Sequence, residues 1–251
     1  MNAVKPKQPD GRSAASTAAL VLIPGMLNDR SIWDEVIAGV RRQLGDKVHV
    51  LVADVITQVS IADMARDAWR QLADVPAQTP CFVAGFSMGG YVALEMLSHP
   101  LRPIREAWLI STSGLPESPN SAPMREKAIA SFEKDFEKAI QATARWGTFE
   151  KASEALEPLI GAMRKLGAQV AIRQTRAIMQ RRDLREALRT LDVPVHVLCG
   201  KEDRITPPDL SEELSLSIPG AQLQWVDKAG HMLPLEQPAF IARSLCARLV
   251  A

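Results

Sequence analysis

The chain has 251 residues, 47% of them apolar and 24% charged, a balance that suits one α/β domain folded around a sizeable core. Its 30 Lys and Arg against 29 Asp and Glu leave a formal charge of +1, which excludes the basic footprint of a nucleic-acid binder or of a protein drawn to anionic membranes. A small-molecule substrate is the expectation that remains, with the protein a monomer or homodimer.

In chain order, the opening MNAVKPKQPDGRSAAS is polar, carries two prolines and lacks the apolar core of a signal peptide. It reads as a flexible arm over residues 1–17, and a cytoplasmic protein is expected. Six short apolar runs follow at 19–25, 48–54, 81–86, 106–111, 193–200 and 223–227, each ending at a turn. Near-continuous apolarity without alternation marks strands covered on both faces. Between and after them, residues 30–45, 60–75, 88–99, 184–191, 209–217 and 237–250 carry helical spacing. In the second of these, Ile61, Met64, Ala65, Ala68, Trp69 and Leu72 make one apolar face. Such alternation predicts an α/β fold, a mostly parallel doubly wound sheet.

Residues 114–183 break this rhythm. They contain no strand pattern, are dense in Ala, Glu, Lys and Arg, and read as three or four amphipathic helices interrupted at Pro158, Gly161 and Gly167. An all-helical insertion there predicts a lid, with residues 18–113 and 184–251 as the core. Cys81, Cys199 and Cys246 lie within apolar runs and read as core thiols. No Cys-x-x-Cys or His-x-x-x-His spacing suggests a metal, and no cofactor is expected.

The segment FVAGFSMGGYVALEM, residues 82–96, carries the chemistry. Gly-x-Ser-x-Gly alone is a weak signal, arising by chance in roughly one chain in ten of this length. Its position is more telling, because Ser87 falls where a strand turns into a helix, at the strand end where open parallel sheets bind ligands. Gly85 and Gly89 leave the backbone room for a strained turn, and the Met88 amide lies at a helix N-terminus that favours negative charge.

A serine nucleophile needs a base, and the base an orienting acid. Of four histidines, His49 and His196 sit inside strand patterns, and His99 is a helix length from Ser87. His231, in DKAGHMLPLEQP after the last strand, is the remaining base. The acid is one of Asp203, Glu202, Asp227 or Asp54; Asp203 in GKEDRITPP is favoured because its loop follows the preceding strand, on the rim shared with Ser87 and His231.

The order Ser, Asp, His is one of three known for this triad. With LIPGMLNDRSIW, GFSMGG, GKEDRITPP and AGHMLPLEQP, the chain over about residues 18–250 resembles the α/β-hydrolase fold superfamily, especially its small lidded esterases and C–C hydrolases. The resemblance implies Ser87 as nucleophile, His231 as general base and acid, and Asp203 as its carboxylate. It also implies an oxyanion hole made by the backbone amides of Met26 and Met88. Two departures stand out. The first loop reads IPGM where many relatives have His-Gly, and ADVITQVSIADMA lacks the glycines of the relatives' second loop. The segment before the first strand is also too short for an antiparallel hairpin, so a sheet of about six strands is expected.

Leu27, Leu115, Trp146, Ile205 and Met232 are the candidate substrate contacts, and with Met26 and Met88 they make an apolar, sulfur-rich set suited to a medium-sized acyl or aromatic group. Trp33, spaced with Val36, Ile37 and Val40, reads as core. The expected reaction is hydrolysis of an apolar carboxylic ester or thioester through an acyl-enzyme on Ser87. The alternatives are C–C bond hydrolysis, acyl transfer or perhydrolysis by the same triad, or a slow-turnover ligand receptor.

Overall fold

A computed structural model of the protein describes residues 17–149 and 154–250; the expected arm over 1–17 lies, apart from Thr17, outside the described residues. In chain order the elements are β1 (Ala18–Ile23), α1 (Asp34–Leu44), β2 (Val48–Val52), α2 (Ile61–Arg70), β3 (Cys81–Phe86), α3 (Met88–Ser98) and β4 (Ile104–Ile110). The insertion follows with α4 (Ala122–Lys134), α5 (Phe136–Gly147), α6 (Leu156–Leu166) and α7 (Ala168–Met179). The chain then returns through α8 (Arg185–Leu188), β5 (Val195–Gly200), α9 (Pro208–Ser217), β6 (Gln222–Val226), α10 (Leu233–Glu236) and α11 (Pro238–Leu249).

The six strands form one sheet in the order β2-β1-β3-β4-β5-β6, every neighbouring pair parallel. Alternate strand residues serve opposite faces. Leu20, Leu22, Phe82, Ala84, Trp108 and Leu198 join Trp33, Val36, Ile241 and Leu245 beneath α1 and α11. Ala19, Val21, Val83, Leu109, Val195 and Val197 join Met64, Ala68, Val92 and Leu214 beneath α2, α3 and α9. Burial on both faces is why the four inner strands read as nearly unbroken apolar runs, while β2 and β6 at the edges are partly exposed. Helix α3 is buried on all sides from Met88 to Leu97, as expected of a helix apolar around its whole circumference. Trp33 is fully buried and meets Phe86 edge to face at 6.5 Å.

The four insertion helices join no separate core: Ile129, Phe132, Ile140, Ile160, Met163 and Ile172 continue the cluster beneath α1 and α11. Of the three expected interruptions, Gly167 stands between α6 and α7 at φ +81°. Pro158 and Gly161 instead lie inside α6. Pro158 is in the first turn, where its missing N–H has no intrahelical partner to lose, and Gly161 is a tolerated interior glycine with open space around it. The cysteines Cys81, Cys199 and Cys246 are buried and unpaired. Burial pushes the Cys81 thiol up to about 11 and that of Cys199 to about 12.

Strand order reverses between β1 and β3, and the crevice beyond their carboxyl ends is where such a sheet takes ligands. A close approach holds the crevice together. A methyl group at Gly89 would come under 3.0 Å from the Ile23 and Pro24 carbonyls, so only glycine lets α3 press against the end of β1. Gly89→Ala is expected to lower stability by about 3 kcal/mol or more, read as an earlier urea midpoint; an unmoved midpoint would contradict this packing.

Candidate active site

Ser87 terminates β3 at φ +53° and ψ −117°, a conformation costly for any side chain and characteristic of functional turns. Neighbouring bonds fix it: the Ser87 N–H donates to the Ile110 carbonyl at 2.9 Å and the Thr112 hydroxyl to the Ser87 carbonyl at 2.8 Å. The hydroxyl therefore projects past the sheet edge, toward the loop after β6.

That loop delivers His231, which is 2% exposed. Its Nε2 lies 2.9 Å from Ser87 Oγ, and its Nδ1 lies 2.9 and 3.1 Å from the two oxygens of Asp203. Asp203, in the loop after β5, accepts further hydrogen bonds at 2.9 Å from the Ile205 and Thr206 N–H groups and from the Thr206 hydroxyl. Burial pushes the Asp203 carboxyl up, but the His231 charge and hydrogen bond and the donors of Thr206 outweigh it, and the group is held below the usual carboxylate value. The arrangement keeps an anion next to Nδ1 and leaves Nε2 facing a hydroxyl.

The other titratable candidates have separate tasks. Glu202 accepts the Ala229 N–H at 3.1 Å and braces the histidine loop. Asp227 pairs with Lys201 at the surface. Asp54 is exposed and caps the Ile56 N–H at 2.9 Å. His49 is exposed on β2; His196 is buried against Glu106 at 2.9 Å; His99 faces Glu95 at 3.5 Å on the helix that begins beside Ser87.

Beyond β1, a Cβ built on Gly25 would lie 3.2 Å from the Ser87 Cβ, so this loop runs alongside the nucleophile. Among the described residues the Met26 N–H has no acceptor, while its neighbours are engaged: Asn28 N–H to the Gly25 carbonyl, and Leu27 N–H to Gln174 Oε1. Met88 is the first residue of α3, where an N–H has no intrahelical partner. Met26 thus follows a residue packed against Ser87, and Met88 follows Ser87 in the chain.

The candidate substrate contacts divide. Gly147, at the end of α5, lies between Ile205 and Met232, next to Trp146, whose ring carries the Arg204 guanidinium at 4.9 Å. These three therefore gather where the insertion meets the Asp203 and His231 loops, Trp146 being 56% exposed and Met232 buried. Leu27 is fully buried in the core, and Leu115 borders a small space with Tyr91 and Arg181 near the root of the insertion.

Sequence reasoning missed Thr206, Gly147, Glu236 and Gln174. A threonine three residues after Asp203 was a readable turn signal. The others act on backbone groups: the Gly147 carbonyl accepts the His231 and Met232 N–H groups at 2.7 and 3.2 Å, and Glu236 accepts those of Phe149, 87 residues away, and of nearby Gly230. Burial raises the Glu236 carboxyl above its usual value, opposed by those two bonds.

Comparison with known proteins gives a consistent result. The chain is 28% identical over 162 residues to a pimeloyl-[acyl-carrier protein] methyl ester esterase of Neisseria meningitidis, covering 61% of this chain and 63% of that protein. A second protein of that name from the same species is matched over 52% of its length. The chain thus spans between half and two thirds of these relatives. A putative carbamate hydrolase, RutD, of Serratia proteamaculans is 23% identical over 96% of this chain and 94% of its own. Among solved structures, a thermophilic esterase from Thermogutta terrifontis superposes with a TM-score of 0.80 at 22% identity, covering 94% of this chain and 90% of that one. A family model described as the alpha/beta hydrolase family matches residues 20–244. Spanning both halves of the sheet and the insertion between them, that match establishes that the chain belongs to the alpha/beta hydrolase family.

Proposed function

We propose that the protein is a serine hydrolase that cleaves small or medium apolar carboxylic esters or thioesters through an acyl-enzyme on Ser87. The observation that carries the reading is the unbroken chain of contacts from Ser87 Oγ through His231 to Asp203, with both links at 2.9 Å. The Neisseria relatives are named for ester hydrolysis and the Serratia one for a putative carbamate hydrolysis, and both names denote hydrolysis at a carbonyl carbon. Among the described residues no helix is long and apolar enough to cross a membrane.

In the proposed reaction Ser87 Oγ attacks the carbonyl carbon as its proton passes to His231 Nε2, and Asp203 stabilises the imidazolium. The carbonyl oxygen becomes an oxyanion held by the Met26 and Met88 N–H groups; each such donor contributes about 3 kcal/mol to the transition state. Collapse breaks the bond to the leaving group, which takes the proton from His231. A water that gives its proton to His231 then attacks the acyl carbon, and the second collapse releases the acid and returns the proton to Ser87 Oγ. Residues 18–113 and 184–251 supply this machinery. Residues 114–183 act as the lid, with Trp146, Ile205 and Met232 the candidate walls for the acyl or leaving group, while Leu27 is buried in the core and Leu115 lies at the root of the insertion.

The test is a panel of esters, thioesters and vinylogous diketones, with a fluorophosphonate label mapped by mass spectrometry. Ester turnover and a label on Ser87 are the expected result. A label on another residue would remove the assignment, and a label on Ser87 with no turnover would favour a receptor.

A further inference from the structure

Gln174 sits in the middle of α7 and is fully buried. Its Oε1 accepts the Leu27 N–H at 2.9 Å, and its Nε2 donates to the Val55 carbonyl at 2.9 Å. One partner only donates and the other only accepts, so the orientation of the amide is fixed by its surroundings. Neither partner is near it in sequence, and both lie in loops that follow core strands, β1 and β2.

What it holds is an unusual piece of backbone. Leu27 adopts φ +55°, a left-handed conformation that costs a non-glycine residue about 1–2 kcal/mol. The peptide plane between Met26 and Leu27 is pinned at both ends: its N–H by Gln174, and its carbonyl by Asn28 Nδ2 at 2.8 Å. The next plane back, whose N–H belongs to Met26, is held at its carbonyl end by the Asn28 N–H at 3.2 Å. The Met26 N–H is the group left over, and its direction is set by these constraints. Thr175, the next residue of α7, adds a contact from its hydroxyl to the Met26 sulfur at 3.5 Å.

We propose that Gln174 is a positioning residue for the oxyanion hole: from the insertion helix α7 it locks the Leu27 peptide and thereby aims the Met26 N–H at the oxygen that becomes charged. This rests on the hydrolase reading above. It makes the insertion part of the catalytic geometry, because α7 must be seated for the hole to be complete. Without the side-chain amide, a buried N–H in a strained conformation has no acceptor, and the loop turns to find one.

The experiment compares Gln174→Met with the wild type on a p-nitrophenyl ester the wild type hydrolyses. Its second readout is inhibition by a trifluoromethyl ketone, which forms a charged adduct on the serine, and by the matching uncharged alcohol. The expected result is a kcat lowered about 10-fold or more, a KM within threefold of wild type, and ketone affinity reduced by the same factor as kcat. Alcohol affinity stays unchanged. Arg173→Met removes a different tie of α7 to the core, the bonds of the Arg173 guanidinium to the Ile56 carbonyl, and is expected to keep its kcat. A folded Gln174→Met enzyme with wild-type kcat and ketone affinity would overturn the assignment, as would an equal loss in Arg173→Met. If Gln174→Met does not fold, Gln174→Leu removes the same acceptor of the Leu27 N–H with a different apolar shape. The same kcat loss is expected, and wild-type kinetics would again overturn the assignment. A wild-type protein that hydrolyses no ester and takes no label on Ser87 would sink the hydrolase reading instead, which separates the two failures.

Discussion

Ser87→Ala is expected to lower kcat on a p-nitrophenyl ester by on the order of a million-fold, the loss typical of removing the nucleophile from an intact triad. Nothing else in the site replaces the hydroxyl: Thr112 spends its own on the Ser87 carbonyl, and Thr206 spends its own on Asp203. Folding should survive. Alanine bears the same φ +53° as serine, and the backbone bonds to Ile110 and Thr112 remain. The stability change should stay within about 1 kcal/mol, the worth of one hydrogen bond to His231. Turnover within tenfold of wild type in a folded Ser87→Ala protein would mean that some other group attacks the substrate.

The second large effect is expected at Asp203. Asp203→Asn keeps the shape but replaces an acceptor of four donors with a group that must itself donate, and the Nδ1–H of His231 loses its partner. The imidazole then presents the wrong tautomer to Ser87, and kcat should fall by on the order of 10,000-fold. Stability should change with pH in a defined direction. The Asp203 carboxyl is held below its usual value despite its burial. Its contribution is therefore present above the ordinary aspartate value near 4 and is lost as pH falls through the lower, folded value. Urea midpoints of Asp203→Asn should accordingly sit below wild type at neutral pH, and the gap should narrow in acid below about pH 4. A gap that widened in acid would show that the carboxylate does not stabilise the folded state.

The sheet was legible because its four inner strands are covered on both faces, so a run such as ALVLI at 19–23 carries no polar alternation to blur it. Ser87, His231 and Asp203 were legible because strand ends punctuate the sequence, and a parallel sheet sends all those ends to one rim. Choosing Asp203 over Glu202 next door depended on loop direction, and Glu202 in fact points back to Ala229. Pro158 and Gly161 misled because helix breakers are read without their register: a proline in the first turn breaks nothing. Gln174 and Gly147 could not be found by pattern at all. One lies 147 residues from the peptide it holds, and the other contributes only a carbonyl, which every residue has.

The Gly147 carbonyl has a consequence for how such enzymes diversify. Exchange of a helical segment between homologues is an attractive route to new substrate ranges, but here the backbone of the proposed general base hangs on the segment that would be exchanged, through the bonds from His231 and Met232. A transplanted segment would need to present an oxygen at the same place, or the imidazole would lose its mooring along with the old specificity. Selection on this scaffold should therefore conserve where α5 ends more strictly than what its side chains are.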